Sequence, residues 1–224
     1  MVILGIDTSG KLGSIALLEC GDDDCAPLRA APLEGGTLSA QLIPQIASLL
    51  QKHGMSKHQI DAFAVVSGPG SFTGLRVGLA AIKGLAEILS KSIVPVSLLE
   101  AIAVSAGTDG RTVAALDAGR GEIYAGTYDI QSGRAVCVSE QVLSSADLVS
   151  EFAGARLVTP DQRLADLFRQ KGMPIHEITA PRADTIARIG YGKLQRGETA
   201  TPEALDATYI RRSEAEIKLV DRNR

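Results

Sequence analysis

Tryptophan is absent from this sequence of 224 residues, and aromatic residues make up only 4% of it. Its core must be built from Ala, Val, Ile and Leu, and a surface that stacks on nucleic-acid bases is not expected. A positive excess is missing too: 23 Lys and Arg stand against 26 Asp and Glu, a net charge of -3. That balance argues against binding nucleic acid through the chain's own field. No apolar run approaches the roughly 18 residues of a membrane span. The opening Met-Val-Ile-Leu-Gly-Ile-Asp lacks a basic segment and reaches Asp7 too soon for a signal peptide. Three cysteines (Cys20, Cys25, Cys137) form no paired metal motif. They are expected to stay reduced, in a cytoplasmic protein. What is present is ordinary globular material, 45% hydrophobic and 22% charged, which excludes disorder and coiled coil.

Residues 2–6 and 14–18 are short apolar runs joined by a small-residue turn, which predicts a hairpin. A third strand is expected over 28–33. A helix follows over 38–52, where Leu38, Leu42, Ile43, Ile46, Leu49 and Leu50 cover an arc of roughly 140°. That arc is broader than a helix lying on one sheet needs. Residues 61–67 read as a buried strand that stops at Gly68-Pro69-Gly70-Ser71-Phe72-Thr73-Gly74 and feeds a helix to about Leu89. Ser71 or Thr73 is suited to cap that helix. A strand at 93–96 and a helix at 98–106 complete a mixed sheet with helices on it.

After Gly110 the pattern restarts. Strands are expected over 112–116, 123–128 and 135–138, with Cys137 as a small core residue. Helices are expected over 146–152, 164–171 and 185–195, and the tail over 213–224 is expected to fray. Leu4-Gly5-Ile6-Asp7-Thr8-Ser9 and Ala115-Leu116-Asp117-Ala118-Gly119 are the same device, a strand that delivers an Asp into a small-residue turn. Two copies about a hundred residues apart point to a duplicated lobe facing itself across a cleft. The division expected is a lobe over 1–107 and a smaller one over 108–224.

These residues bring a family into view. The strings Ile6-Asp7-Thr8-Ser9, Gly68 through Gly78, Lys83-Gly84-Leu85-Ala86, Leu116-Asp117-Ala118-Gly119-Arg120-Gly121-Glu122-Ile123-Tyr124 and Tyr209-Ile210-Arg211 together resemble the TsaB (YeaZ) family. Its members are bacterial partner subunits in threonylcarbamoyladenosine modification of tRNA. The resemblance implies an α/β chain with two lobes of the actin, sugar-kinase and Hsp70 kind. It also implies a heterodimer with a TsaD-like transferase subunit, a TsaE-like P-loop ATPase in the same complex, and tRNA met only through the complex.

The fold that the resemblance implies normally holds ATP between two Asp-bearing hairpins, so Asp7, Thr8, Ser9, Asp117 and Gly119 are candidates for a vestigial nucleotide or phosphate turn, one kept as a fold device after its ligand is gone. Hydroxyls and backbone N–H groups suit phosphate, and a carboxylate suits magnesium. The competing reading, which we favour, is that Asp7 and Ser9 satisfy their own turn. The turn after Gly68 lacks the Gly-Lys-Ser/Thr ending of a phosphate loop. Asp117 and Glu122 could pair but equally suit a solvated turn. His53 and His58 are five apart, about 140° on a helix, and only His176 remains, so no helical metal pair exists. The spacing around Ser71 is wrong for a Gly-x-Ser-x-Gly nucleophile. No cofactor, metal or catalytic residue is expected.

The expected site is a surface. From Thr73 to Leu89 the charged residues are Arg76, Lys83 and Glu87, within about 40° of one another on a helix. Gly74, Leu75, Gly78, Ala81 and Ile82 would join Leu38, Leu42, Ile46 and Leu49 in a four-helix contact with the transferase subunit, or with a second copy when the chain is alone. The alternative is an active ATPase or small-molecule kinase using Asp7 and Asp117.

Overall fold

The computed structural model describes residues 1–21, 24–33, 37–152, 154–208 and 210. Tyr209, Arg211, Arg212 and the tail expected to fray lie outside the described residues.

Chain order is β1 (Val2–Asp7), β2 (Gly13–Cys20), β3 (Cys25–Leu33), α1 (Leu38–Lys52), β4 (Ala62–Gly68), α2 (Phe72–Leu89), β5 (Ser92–Ser97) and α3 (Leu98–Ser105). Then follow β6 (Gly110–Gly119), β7 (Glu122–Gln131), β8 (Arg134–Ser144), α4 (Ser145–Glu151), β9 (Arg156–Thr159), α5 (Gln162–Gln170), β10 (Ile175–Glu177) and α6 (Ala183–Gln195). The strands form two sheets of five, in the orders β3-β2-β1-β4-β5 and β8-β7-β6-β9-β10. These are one topology used twice. In each sheet a hairpin supplies the central strand and its antiparallel neighbour, a third strand extends that edge, and two parallel strands extend the other. The restart seen in the sequence is thus a duplicated α/β lobe, the two-lobed actin-like arrangement.

The layers follow from where apolar residues are placed. Leu42, Ile46 and Leu49 of α1 and Leu79 and Ile82 of α2 cover one face of the first sheet. The other face, Ile3, Ala16, Ala64 and Val94, is covered by Ala183, Ile186 and Ala187 of α6. Helix α3 turns Leu99, Ile102 and Ala103 onto Ala114, Tyr128 and Val158 of the second sheet. Helices α4 and α5 close that sheet's far side through Leu148, Leu164 and Phe168. Parallel strands buried on both faces, such as β4 with its unbroken burial, show no alternation for this reason.

Three expectations are corrected. The chain does not stay in a second lobe from 108 onward: α6 returns to the first sheet, and Ala200 bridges Ile93 at the edge of β5. Burying that edge and face needs an element, and the sequence supplies it late. Cys20 and Cys25 are joined in a disulfide rather than reduced. Cys137 is exposed rather than in the core. It lies on β8, which closes one edge of the second sheet. Strands β9 and β10, four and three residues long, were not anticipated.

Candidate functional site

Both Asp-bearing turns are present, and both engage their own carboxylate. At the end of β1, Asp7 Oδ1 accepts from the Ser9 backbone N–H at 2.8 Å and from Ser9 Oγ at 2.5 Å. At the end of β6, Asp117 Oδ1 accepts from the Gly119 N–H at 2.7 Å. The duplication therefore extends to a matching hydrogen bond from residue i+2. The two differ in burial: Asp7 is buried and Asp117 exposed. Burial lifts the Asp7 carboxyl above its ordinary range against the opposing Ser9 hydrogen bonds.

Two cavities lie between the turns and the second lobe. One, of about 530 Å³, is lined by Asp7, Ser9 and Arg182, with apolar walls from Leu12, Leu98, Leu116 and Pro181. The other, of about 420 Å³, brings Ser9, Lys11, Gly70 and Ser71 to Asp117 and Gly119. Four of the five turn candidates thus line the cleft, but Thr8 does not. Thr8 is buried, and its Oγ1 has no hydrogen-bond partner among the described residues.

Thr8 explains the long glycine-rich string. A Cβ at Gly74 would stand well inside contact distance of the Thr8 carbonyl oxygen, and one at Gly78 would meet Thr8 Oγ1. A Cβ at Gly70 would meet Ser9 at 2.6 Å. The Ser71 N–H donates to the Ser9 carbonyl at 2.7 Å, while Ser71 Oγ accepts from the Gly74 N–H and caps α2. The string is a seam that seats α2 on the Asp7 turn.

This corrects the expected partner surface. Leu42, Ile46, Leu49, Leu75 and Ile82 are buried in the chain's own core, and Gly74 and Gly78 face Thr8. Leu38 and Ala81 are partly buried beside them. The outward stripes of these adjacent helices use other residues. On α1 they are Ala40, Ile43, Pro44 and Ala47; on α2 they are Ala80, Gly84 and Ile88. Ile43 is 44% exposed and Ile88 74%. A Cβ at Gly84 would meet nothing within 4 Å among the described residues. The signal in the sequence was Gly84 at i+4 from Ala80, with Ile88 four further on.

Among the described residues no group of three or more His, Cys, Asp and Glu is placed to hold a metal ion. Nor is any helix long and apolar enough to cross a membrane. Two polar clusters were missed. Ser97 Oγ donates to Glu140 Oε1 at 2.5 Å and accepts from the Leu99 N–H, while Tyr128 also donates to Glu140. Burial, then the Glu140 carboxylate, pushes the Tyr128 hydroxyl far up. Lys193 of α6 reaches the buried Glu100 of α3 at 2.8 Å. A lone Glu in the apolar run Leu98–Ser105 was the available clue.

Residues 36–192 match the family model described as TsaD, tRNA N6-adenosine threonylcarbamoyltransferase. The chain is 30% identical over 233 residues to the Bacillus subtilis tRNA threonylcarbamoyladenosine biosynthesis protein TsaB, covering 99% of each. It is 29% identical to its Escherichia coli namesake, covering 98% of each. The solved structure of YeaZ from Pseudomonas aeruginosa superimposes with a TM-score of 0.73 at 26% identity, covering 93% of this chain and 99% of that one.

Proposed function

The chain belongs to the TsaB family of tRNA threonylcarbamoyladenosine biosynthesis proteins, and on that premise we propose that it is the non-catalytic partner of a TsaD-like transferase subunit. It dimerises with that subunit and supports threonylcarbamoyl transfer to the adenosine beside the tRNA anticodon. A TsaE-like P-loop ATPase joins the complex, tRNA is met only through it, and the free chain pairs with a second copy.

The observation that carries this reading is the outer face of α1 and α2. Glycine inside a helix costs about 1 kcal/mol relative to alanine. Gly84 incurs that cost inside α2, where nothing among the described residues would come within 4 Å of a Cβ. Ala80 and Ile88, one turn before and after it, are exposed, as are Ile43 and Ala47 on α1. Exposed small residues and isoleucines on two adjacent helices suit the close approach of a partner's helices. A specific contact of this kind buries on the order of 1,600 Å². The engagement of one oxygen of Asp7 and of Asp117 in their own turns supports a supporting role over an ATPase or kinase.

The test is co-purification with a TsaD-like subunit. Gly84→Arg and Ala80→Arg should keep the fold, lose the partner and lose the modified nucleoside. Gly78→Arg is unsuitable because it strikes Thr8. Wild-type co-purification yield with a folded Gly84→Arg would place the interface elsewhere. Calorimetric titration of magnesium–ATP decides the kinase alternative, which tight binding with turnover would favour.

A further inference from the structure

Cys20 and Cys25 end β2 and begin β3, as the last cross-strand pair before the hairpin loop. The Gly21 N–H donates to the Asp24 carbonyl at 2.9 Å and closes the loop just beyond them. Cys20 and Cys25 therefore face one another between hydrogen-bonded pairs, where opposed strands approach most closely, with Cα atoms 4.0 Å apart. Strand register alone holds the thiols adjacent, so the bond can open and reclose without the hairpin rearranging. The loop it closes is among the shortest, so its hold on the unfolded chain is small. Its influence is local.

What lies over it is α6. The two cysteines are only 2% and 5% exposed and pack in the cluster that contains Ile186 and Ala187. Tyr191 Oη donates to the Gly21 carbonyl at 2.6 Å, and Arg188 reaches Asp24 at 3.1 Å. On the other side the Met1 amine donates to the Cys20 carbonyl, and the Cys20 N–H to the Met1 carbonyl. Two separate sulfhydryls need more room than a bonded pair, and a close-packed layer has none to spare. The covering helix must yield.

We propose that Cys20–Cys25 is a redox-modification site, opened by dithiol reductants, that sets how firmly α6 is seated on the first sheet. A reductant thiolate attacks one sulfur, forms a mixed disulfide and releases the other cysteine as a thiolate that takes up a proton. The reductant's second thiolate then attacks the reductant's own sulfur in that mixed disulfide and expels the remaining cysteine as a thiolate, which also takes up a proton. Two electrons and two protons pass to the pair, and the reductant leaves as its own disulfide. Because both sulfurs are buried, attack waits on local opening of α6. The consequence reaches further, because α6 also carries Lys193 to Glu100 of α3, the helix on the second sheet.

The experiment uses the full chain purified without reductant, with dithiothreitol as probe. Denaturing alkylation should label one cysteine, Cys137, before dithiothreitol and all three after it. Hydrogen exchange across 186–194 should become several-fold faster in the reduced protein. In Cys20→Ala/Cys25→Ala the exchange of α6 should not respond to dithiothreitol. Three labels before reduction, unchanged α6 exchange after it, or a response that persists in the double variant would each overturn the proposal. If the double variant does not fold, the wild-type comparison decides alone.

Discussion

Thr8 determines what can stand opposite it on α2. Its carbonyl and hydroxyl leave room for hydrogen only at Gly74 and Gly78. Gly84, two turns further along the same helix, has open space. The two glycines should respond oppositely to the same change. Gly78→Ala forces Thr8 or α2 to shift and is expected to lower stability by about 2 kcal/mol. Gly84→Ala gains helix propensity and is expected to raise it by up to about 1 kcal/mol. Urea titration of both variants checks the pair, and equal effects would contradict the packing assigned to α2. Asp7 gives a second residue-scale test. Burial raises its folded pKa above the ordinary 3.8, so the native state holds the proton more tightly than the unfolded one. Its contribution to stability is complete below 3.8 and is lost as pH rises through the folded value. Asp7→Asn keeps an acceptor for Ser9 without a charge, and should flatten the decline of the urea midpoint with pH above 4. It should also leave tRNA modification intact, if the turn is structural.

At the scale of elements, the surest readings were those set by periodicity. Helix α1 runs over the residues its apolar arc marked, and α2 starts at the cap that Ser71 provides. Periodicity could not say which side of a helix buried on more than one side looks outward. The inward residues Leu42, Ile46 and Gly78 were therefore assigned to the partner, while Ala80 and Gly84 were not. Strands β9 and β10 escaped because three or four residues carry no period, and they are defined by pairing with distant β6 and β9. The link between α3 and α6 escaped for the same reason: Glu100 and Lys193 are 93 residues apart in sequence. Removing one partner of such a pair leaves a buried charge unanswered. Lys193→Met is expected to cost about 3 kcal/mol. Adding Glu100→Gln should recover part of that loss. A thermodynamic cycle in denaturant measures the coupling, and additive losses would mean the pair does not act as one.

The whole molecule is tied together by the order in which the chain returns. The first sheet has its two faces covered from opposite ends of the sequence, by α1 and α2 early and by α6 late. The segment after α6 continues the tie: Leu205 is buried in the first lobe's core, the Thr208 N–H donates to the Ser67 carbonyl, and Ile210 packs with the cluster around α3. A boundary at residue 107 therefore divides the repeat but not the stability. Residues 1–107 made alone would leave Ile3, Ala16, Ala64 and Val94 uncovered where Ile186 and Ala187 belong. The opposite face of the sheet would still be closed. An open apolar sheet face of that kind favours aggregation over a folded monomer. Fragment 1–107 is expected to be insoluble or molten, and co-expression with 108–224 should restore a soluble complex. The intact chain should unfold in one transition, with secondary-structure and tyrosine signals coincident. A soluble, cooperatively folding 1–107, or two separate transitions in the full chain, would show that each lobe stands without the other and that α6 is an accessory rather than a wall of the first core.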